Sequence, residues 1–345
     1  MRDAPAIQVE VLDGSADFAE LDRFASSVPY SSPFQAGFSA RTYSRCSDAK
    51  PIVLAARDKR GLLVASIVGV VFSHGKRPGS IADRWSRHCT VRGTPLSLRD
   101  ESAHSALQLL LAAIEGAVGS GTTYVRHYPD REGPFLKLLQ EDGYVREDWL
   151  NFIVDLTETE EEILGRMSKP RRKGVRAGER SGLSIEEVGS HKDLEELYAI
   201  LQRAHSQLRI PLQRRELFNA VLADLVPEKH SVMVLARQAG ESLAARVVLV
   251  SKEIAYDWYA GSKPRAKRLH ADEVLAWASM RKAKALGASV FDFGGAGIPG
   301  ETYGPGEFKR RFGGQQTNFG RFTKVLHPSR LRLAKAAAGI LRQLV

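Results

Sequence analysis

The sequence predicts a mixed α/β (α+β) protein made of two copies of one unit, each a mostly antiparallel sheet flanked by helices. Two patterns support this prediction: each half contains a strand–helix–strand succession, and a pair of strands joined by a glycine-containing turn precedes each succession. The chain length agrees with two units, because 345 residues are more than one hydrophobic core usually organises. We expect one domain over residues 1–156 and a second over residues 157–345.

The first copy begins with a predicted β-hairpin, whose turn contains Gly61. Its predicted elements are, in order, strands 51–56 and 62–72, an extended run at 87–96, a helix at 101–118 and a strand at 122–126. The helix assignment rests on an apolar stripe at helical spacing, formed by Ala103, Ala106, Leu107, Leu110, Leu111 and Ile114.

The second copy repeats this order. Its predicted elements are strands 231–237, 242–251 and 255–260, a helix at 271–285 and a strand at 289–293. The glycines before and after each central helix are similarly spaced, with 28 residues from Gly93 to Gly121 and 26 from Gly261 to Gly287. A strand–helix–strand succession of this kind usually gives a sheet with helices on its faces.

Two further segments complete the predicted organisation. Strand 151–156 closes the first half, and a polar, charged helix at 159–181 opens the second. Each copy continues with a short helix, a glycine and another strand, with Gly143 in the first copy and Gly313 and Gly314 in the second.

Composition is typical of a globular enzyme, with 43% hydrophobic and 26% charged residues, and it excludes wholesale disorder and a multi-span membrane protein. The longest apolar run, 61–72, has 12 residues, too few to cross a bilayer as a helix. No signal peptide is predicted and two cysteines give no disulfide framework, so we expect a cytoplasmic protein. The nine histidines lack ligand spacing, and no metal site is predicted.

Positive charge is concentrated in the second half of a chain whose net charge is +10. Seven basic residues and one acid lie between Arg166 and Arg180, and nine Lys and Arg but no acid follow Glu307. Such clusters indicate a polyanionic partner, which could be RNA, a nucleotide sugar, CoA or an anionic membrane. The alternative for any single cluster is a solvated face that aids solubility.

Five ordered segments between residues 32 and 314 resemble the Fem-type peptidyltransferases, which are aminoacyl-tRNA-dependent enzymes. They are Ser32-Pro-Phe-Gln-Ala-Gly-Phe38, Arg92-Gly-Thr-Pro95, Arg172-x3-Arg176-x-Gly178-x3-Gly182, Tyr259-Ala-Gly-Ser262, and Phe291-Asp-Phe-Gly-Gly295 with Phe308-Lys-Arg-Arg-Phe-Gly-Gly314. The resemblance implies tandem duplicated GNAT-like domains, the first on the acceptor side and the second on the donor and catalytic side. Relatives of the family include acyltransferase-like proteins of polysaccharide biosynthesis.

The resemblance assigns the catalytic role to Lys309 and a neighbouring substrate contact to Phe308. Amide formation from an activated ester needs positioning of both substrates and stabilisation of an oxyanion, which a lysine ammonium can provide. The alternative is that Lys309, the first of three consecutive cations, only binds phosphate. The first copy has Leu136 after Phe135 at the corresponding place, which suggests that only the second copy carries the electrophilic group.

Two basic groups are candidates for phosphate binding. Arg172 and Arg176 lie four residues apart on one helix face and could hold adjacent phosphates; the alternative is a surface helix on which they pair with Glu179. The cations before the central helix of the second copy stand where GNAT enzymes hold pyrophosphate on backbone amides; they are Arg265, Lys267 and Arg268. This loop, 263–270, contains no glycine, unlike the usual CoA-binding loop.

The remaining candidate substrate contacts are Asp292, Tyr303, Phe34 and Gln35. Asp292 can accept the ammonium of the acceptor or cap the turn that follows it. Gly294, Gly295 and Gly297 indicate either close approach to a ligand or a tight turn. Tyr303 can lie over the substrate or pack in its loop.

The sequence favours transfer of an amino acid from aminoacyl-tRNA to an amine of a cell-wall precursor or another small acceptor, phosphorylated or lipid-linked. The alternative is an acyl-CoA-dependent N-acyltransferase of polysaccharide or envelope biosynthesis. A third hypothesis is a non-catalytic RNA- or envelope-associated binding protein. No permanently bound cofactor is expected. The basic C-terminal segment 328–345 predicts a helix that contacts an anionic membrane surface or docks on its own domain.

Overall fold

A computed structural model describes residues 7–73, 87–98, 103–301 and 303–333. They form two compact units, one running to Asp148 and resuming at Phe319, the other spanning Trp149–Asn318. This division differs from the one at residue 156 because of strand pairing: Asn151–Asp155 pairs with Val290–Gly295, and Arg321–Val325 returns to two strands of the first unit.

The first unit is a sheet in the order β1-β2-β3-β4-β6-β15-β7, with β5 paired to β3. Its strands are β1 (Gln8–Val11), β2 (Ala49–Arg57), β3 (Leu63–Phe72), β4 (His88–Arg92), β5 (Leu96–Ser97), β6 (Tyr124–Tyr128), β7 (Val145–Glu147) and β15 (Arg321–Val325). Its helices are α1 (Ser15–Ser27), α2 (Gly37–Ser44), α3 (Ala103–Ala117) and α4 (Pro134–Glu141), with a 3-10 turn at Pro33–Gln35.

The second unit is a sheet in the order β14-β8-β13-β12-β11-β10-β9. Its strands are β8 (Asn151–Asp155), β9 (Ser184–Glu187), β10 (Ser231–Gln238), β11 (Glu241–Ser251), β12 (Ile254–Ser262), β13 (Val290–Gly295) and β14 (Gln315–Thr317). Its helices are α5 (Glu160–Arg166), α6 (Lys169–Glu179), α7 (His191–Leu208), α8 (Arg215–Ala220), α9 (Ala271–Ala285) and α10 (Gly304–Arg310), with a π-helical turn at Val221–Leu225 and a 3-10 turn at Pro264–Leu269.

The predicted duplication is confirmed by the topology. Among the described strands, each sheet has one parallel pair, β4–β6 in the first unit and β12–β13 in the second, and a helix connects each pair. All other described pairings are antiparallel. Each unit is therefore the mixed, mostly antiparallel sheet that the repeated pattern predicts.

The polar helix predicted at 159–181 is two helices, α5 and α6. Met167 has an extended backbone, and the Ser168 hydroxyl then accepts the N–H of Arg171 to begin α6. Pro170 lies in the first turn of α6, where its missing N–H costs nothing, whereas inside a continuous helix it would remove a hydrogen bond.

The C-terminal prediction is described only in part. Residues 328–333 are helical, and the Arg330 guanidinium donates to the Ser120 carbonyl at 2.7 Å. The apolar stripe of the predicted helix includes Ala337, Ile340 and Leu344, which lie outside the described residues. Across the described part of the chain, every helix is too short or too polar to span a bilayer.

Candidate active site in the second unit

The two parallel strands of the second unit, β12 and β13, separate and leave a gap between them. Residues 254–256 of β12 pair with residues 290–292 of β13. Beyond that point β12 continues along β11 to Ser262, while β13 follows β8, where Gly295 pairs with Asn151. Side chains and backbone groups at these strand ends therefore face a gap in the hydrogen-bonded sheet.

Lys309 reaches this gap from α10. Its ammonium donates a hydrogen bond to the Gly295 carbonyl at 2.7 Å. Burial lowers the pKa of Lys309 to about 8, an effect opposed by the carboxylates of Asp257 and Asp292 and reinforced by Arg246. An ammonium has three donors, so two remain after the bond to Gly295.

Asp292 is buried and bonded within the protein. Its carboxylate accepts the Gly294 N–H at 2.7 Å and the Asn151 side-chain amide at 3.1 Å. The first bond joins residues two apart inside β13, where the pairing with β8 shifts register between Asp292 and Gly295, so the predicted cap of the following turn also stays a prediction. A contact between Asp292 and a substrate stays a prediction.

The glycines after Asp292 pack closely against aromatic side chains. A Cβ at Gly294 would lie 2.6 Å from the Tyr256 hydroxyl, and one at Gly295 would lie 2.3 Å from the Trp149 indole nitrogen. Gly294 and Gly297 also have positive φ angles of 67° and 95°. Both features require glycine, and they hold the Gly295 carbonyl where Lys309 meets it.

A buried ion pair lies in the same region. The Arg246 guanidinium of β11 donates to Oδ2 of Asp257 at 2.5 Å, and both side chains are at most 5% exposed. Oδ1 of Asp257 is enclosed and has no hydrogen-bond partner among the described residues. Neither residue belongs to the motifs found in the sequence, although a lone charge in the apolar run of β11 was the available signal.

Arg171 is another candidate functional residue that lies outside the sequence motifs. Its Nη1 pairs with Glu273 at 2.9 Å, and its Nη2 donates to the Phe308 carbonyl at 3.2 Å. The guanidinium also lies 4.1 Å from the centroid of the Phe308 ring and 4.6 Å from that of Phe312. Arg171 therefore fixes the residue that immediately precedes Lys309.

Tyr303 stands at the start of α10 with 37% of its surface exposed. Its ring lies against Gly297, where a Cβ would approach to 3.1 Å, and also near Gly306. This is the packing that the simpler sequence hypothesis expects, and the exposed part of the ring leaves a substrate contact as a prediction.

The structure separates the two arginines predicted to bind phosphate. Arg172 donates to carbonyls at the end of α5, at 2.9 Å for Gly165 and 3.2 Å for Leu164, so it caps that helix. Arg176 is exposed and forms no ion pair within the described ranges. Of the two, Arg176 is the one whose guanidinium is available to a ligand.

The glycine-free loop before α9 forms the 3-10 turn Pro264–Leu269. Arg265 pairs with Glu241 at 2.9 Å, whereas Lys267 and Arg268 are exposed without an ion pair among the described residues. Asp272 and Glu273 occupy the first turn of α9. Their carboxylates offset the positive end of the helix dipole, which would otherwise favour a pyrophosphate.

In the first unit, Gln35 is completely buried and bonded to the backbone. Its amide nitrogen donates to the carbonyls of Arg92 at 2.7 Å and Val68 at 3.0 Å, and its oxygen accepts the Val68 N–H at 2.9 Å. Phe34 is buried beside it and faces the Arg92 guanidinium at 5.7 Å. These bonds tie the first motif to the second; substrate binding by either residue stays a prediction.

Comparisons with known proteins agree with this fold. Residues 166–310 match the family model described as an acetyltransferase (GNAT) domain. The crystal structure of FemX is 16% identical, with a TM-score of 0.70 over 94% of this chain and 99% of that one. No curated protein sequence matches the chain at a significant level.

Two further structures share the fold. The C-terminal domain of a putative lysylphosphatidylglycerol synthetase from Agrobacterium fabrum has a TM-score of 0.55 at 18% identity, covering 94% of this chain and 97% of that one. A tandem GNAT protein from the clavulanic acid biosynthesis pathway has a TM-score of 0.54 at 10% identity, covering 93% and 99%. The chain therefore has the tandem GNAT fold, residues 166–310 of its second unit match a GNAT acetyltransferase domain, and the resemblance in fold to the Fem-type protein FemX is confirmed.

Proposed function

We propose that this protein is an aminoacyltransferase that moves an amino acid from aminoacyl-tRNA to an amine of a cell-wall precursor or another small acceptor. The observation that carries the proposal is the Lys309 ammonium, held by the Gly295 carbonyl in the gap between β12 and β13. It supplies positive charge and free donors where an ester carbonyl can enter.

The proposed reaction needs one electrophilic group and correct positioning. The acceptor nitrogen attacks the ester carbonyl, the C–N bond forms, and the C–O bond to the ribose breaks. A proton lost from the amine ends on the leaving ribose hydroxyl. Lys309 stabilises the oxyanion of the tetrahedral intermediate, a contribution worth about 3–4 kcal/mol for a single donor.

The donor assignment is supported by the loop before α9. A CoA pyrophosphate is usually held by backbone N–H groups at a helix N-terminus. Here that terminus carries Asp272 and Glu273, while the neighbouring cations Lys267 and Arg268 are exposed. Exposed cations can contact the phosphates of a nucleic acid backbone, which lie on its outer surface.

Acyl-CoA is the second candidate donor, because the matched family model is that of an acetyltransferase. The reaction would follow the same course with a thioester in place of the ribose ester, and with CoA as the leaving group. Lys309 would have the same role, so the two candidates differ in how the donor is bound.

A binding comparison distinguishes the donors. The purified full chain is titrated with bulk aminoacyl-tRNA and, separately, with acetyl-CoA at about 50 and 200 mM salt. We expect micromolar or tighter tRNA binding that weakens steeply with salt, and no saturable CoA binding. Saturable acetyl-CoA binding with only weak, non-selective tRNA association would overturn the aminoacyl-tRNA proposal in favour of the CoA-dependent reaction.

A further inference from the structure

Helix α6 has two sharply different faces. Its buried face comprises Arg171, Gly174, Val175 and Gly178. The opposite face carries exposed cations at positions i, i+4, i+7 and i+11, which fall on one stripe of a helix with 3.6 residues per turn; they are Lys169, Lys173, Arg176 and Arg180. None of these four forms an ion pair with any residue in the described ranges.

Two glycines on the buried face of α6 bring that face against the turn that precedes α9. A Cβ at Gly178 would lie 2.3 Å from a methyl group of Val274 and 3.0 Å from the Leu269 carbonyl, and one at Gly174 would lie 3.0 Å from the His270 ring. The helix and the turn therefore touch at the backbone. The stripe lies on the opposite face of α6, and we call its four exposed cations the basic face.

The basic face begins next to the candidate active site. The Ser168 N–H, which opens α6, bonds to the Arg311 carbonyl at 3.0 Å, and Arg171 in the first turn bonds to the Phe308 carbonyl. In the sequence Lys309 lies between Phe308 and Arg311, on α10. From Lys169 to Arg180 the stripe runs about 16 Å, because a helix rises about 1.5 Å per residue.

We propose that the basic face binds the phosphate backbone of the donor RNA, with the esterified end of the strand at Lys309. This inference rests on the proposed function, because it takes the donor to be an RNA ester. The stripe offers four cations along about 16 Å to the phosphates of one strand. Among the described residues no carboxylate pairs with these cations, so an RNA would have none of those carboxylates to displace.

The test uses a triple variant, Lys173→Gln with Arg176→Gln and Arg180→Gln, and uncharged bulk tRNA as the probe. We expect affinity at 100 mM salt to fall about 10–100-fold and the slope of log Kd against log salt to fall by about 2–3, since each phosphate contact contributes about 0.7–0.9. A matched control removes three exposed cations elsewhere in the same unit, Lys192, Arg203 and Lys229, by the same Gln substitutions.

The outcomes separate this inference from the proposed function. Equal affinity losses in the triple variant and its control would overturn the basic face as the RNA site, because only net charge would matter. Lost binding to phosphatidylglycerol vesicles with unchanged tRNA binding would also overturn it and assign the face to a membrane. Selective loss of tRNA binding in a protein that transfers acyl groups from acetyl-CoA would support the face and contradict the donor assignment.

Discussion

The guanidinium of Arg171 lies 4.1 Å from the centre of the Phe308 ring, and its Nη2 donates to the carbonyl of the same residue. One side chain of α6 thereby fixes both the ring and the backbone of the residue before Lys309. The Fem-type motif includes Phe308 and Lys309 but not this arginine. Because Arg171 contacts neither Lys309 nor the proposed reacting atoms in these bonds, we regard it as a positioning residue.

Replacing Arg171 tests the ion pair that supports this arrangement. Arg171→Met leaves Glu273 half-buried without its partner, so we expect the free energy of unfolding to fall by about 3–5 kcal/mol. Adding Glu273→Gln removes the uncompensated charge and restores much of the loss. Urea unfolding of both variants checks this, and a double variant no more stable than the single one would contradict it.

The close contact of α6 with the turn before α9 gives a second prediction. Gly178→Ala forces a methyl group into the space of Val274 and the Leu269 carbonyl, so we expect clear destabilisation. Gly165→Ala in α5 is the matched control, because nothing lies within 4 Å of its Cβ position. We expect that control to gain up to about 1 kcal/mol from helix propensity. Equal thermal shifts in the two variants would refute the close packing.

Replacing Gln35 distinguishes a structural role of this residue from a role in substrate binding. Gln35→Met keeps the shape but removes the side-chain partner of three backbone groups, two of them buried, so we expect a loss of about 2–4 kcal/mol in unfolding free energy. The exposed Gln140→Met variant serves as the control and should be near neutral. Normal stability together with a raised KM for the acceptor would assign Gln35 to the substrate instead.

The pKa of Lys309 predicts how its removal changes stability with pH. The folded-state pKa of about 8 lies below the reference value of 10.5, so burial of the charged form is unfavourable at pH 7. We expect Lys309→Met to be more stable than the wild type by about 1–3 kcal/mol below pH 8. The difference should shrink as pH rises from 8 towards 10.5, because the folded wild type then loses the proton. A pH-independent difference in denaturant unfolding would argue against a buried ammonium.

The fold and the position of Lys309 in the site could be predicted from the sequence. Apolar periodicity located both strand–helix–strand units, and the motif located Lys309 on α10. The division between the units was out of reach, since β15 follows Phe319 in sequence but pairs with β6 and β7 of the first unit. The role of Arg171 was equally hidden, because it depends on Glu273 and Phe308, which are distant in the chain. Arg246 and Asp257 lie on neighbouring strands, but their pairing depends on the register between β11 and β12.

The central claim is that a protonated Lys309 stabilises the oxyanion, and a pH–rate profile tests it most directly. Single-turnover transfer from bulk aminoacyl-tRNA to an amine acceptor is measured for the wild type, Lys309→Arg and Lys309→Met, with spontaneous ester hydrolysis subtracted. We expect the wild-type rate to fall above about pH 8, where Lys309 loses its proton. The fall should be displaced to higher pH in any activity left to Lys309→Arg, and Lys309→Met should lose about 100–1,000-fold in rate with little change in donor affinity. Near-normal turnover by Lys309→Met, or the same alkaline fall in Lys309→Arg, would contradict the claim.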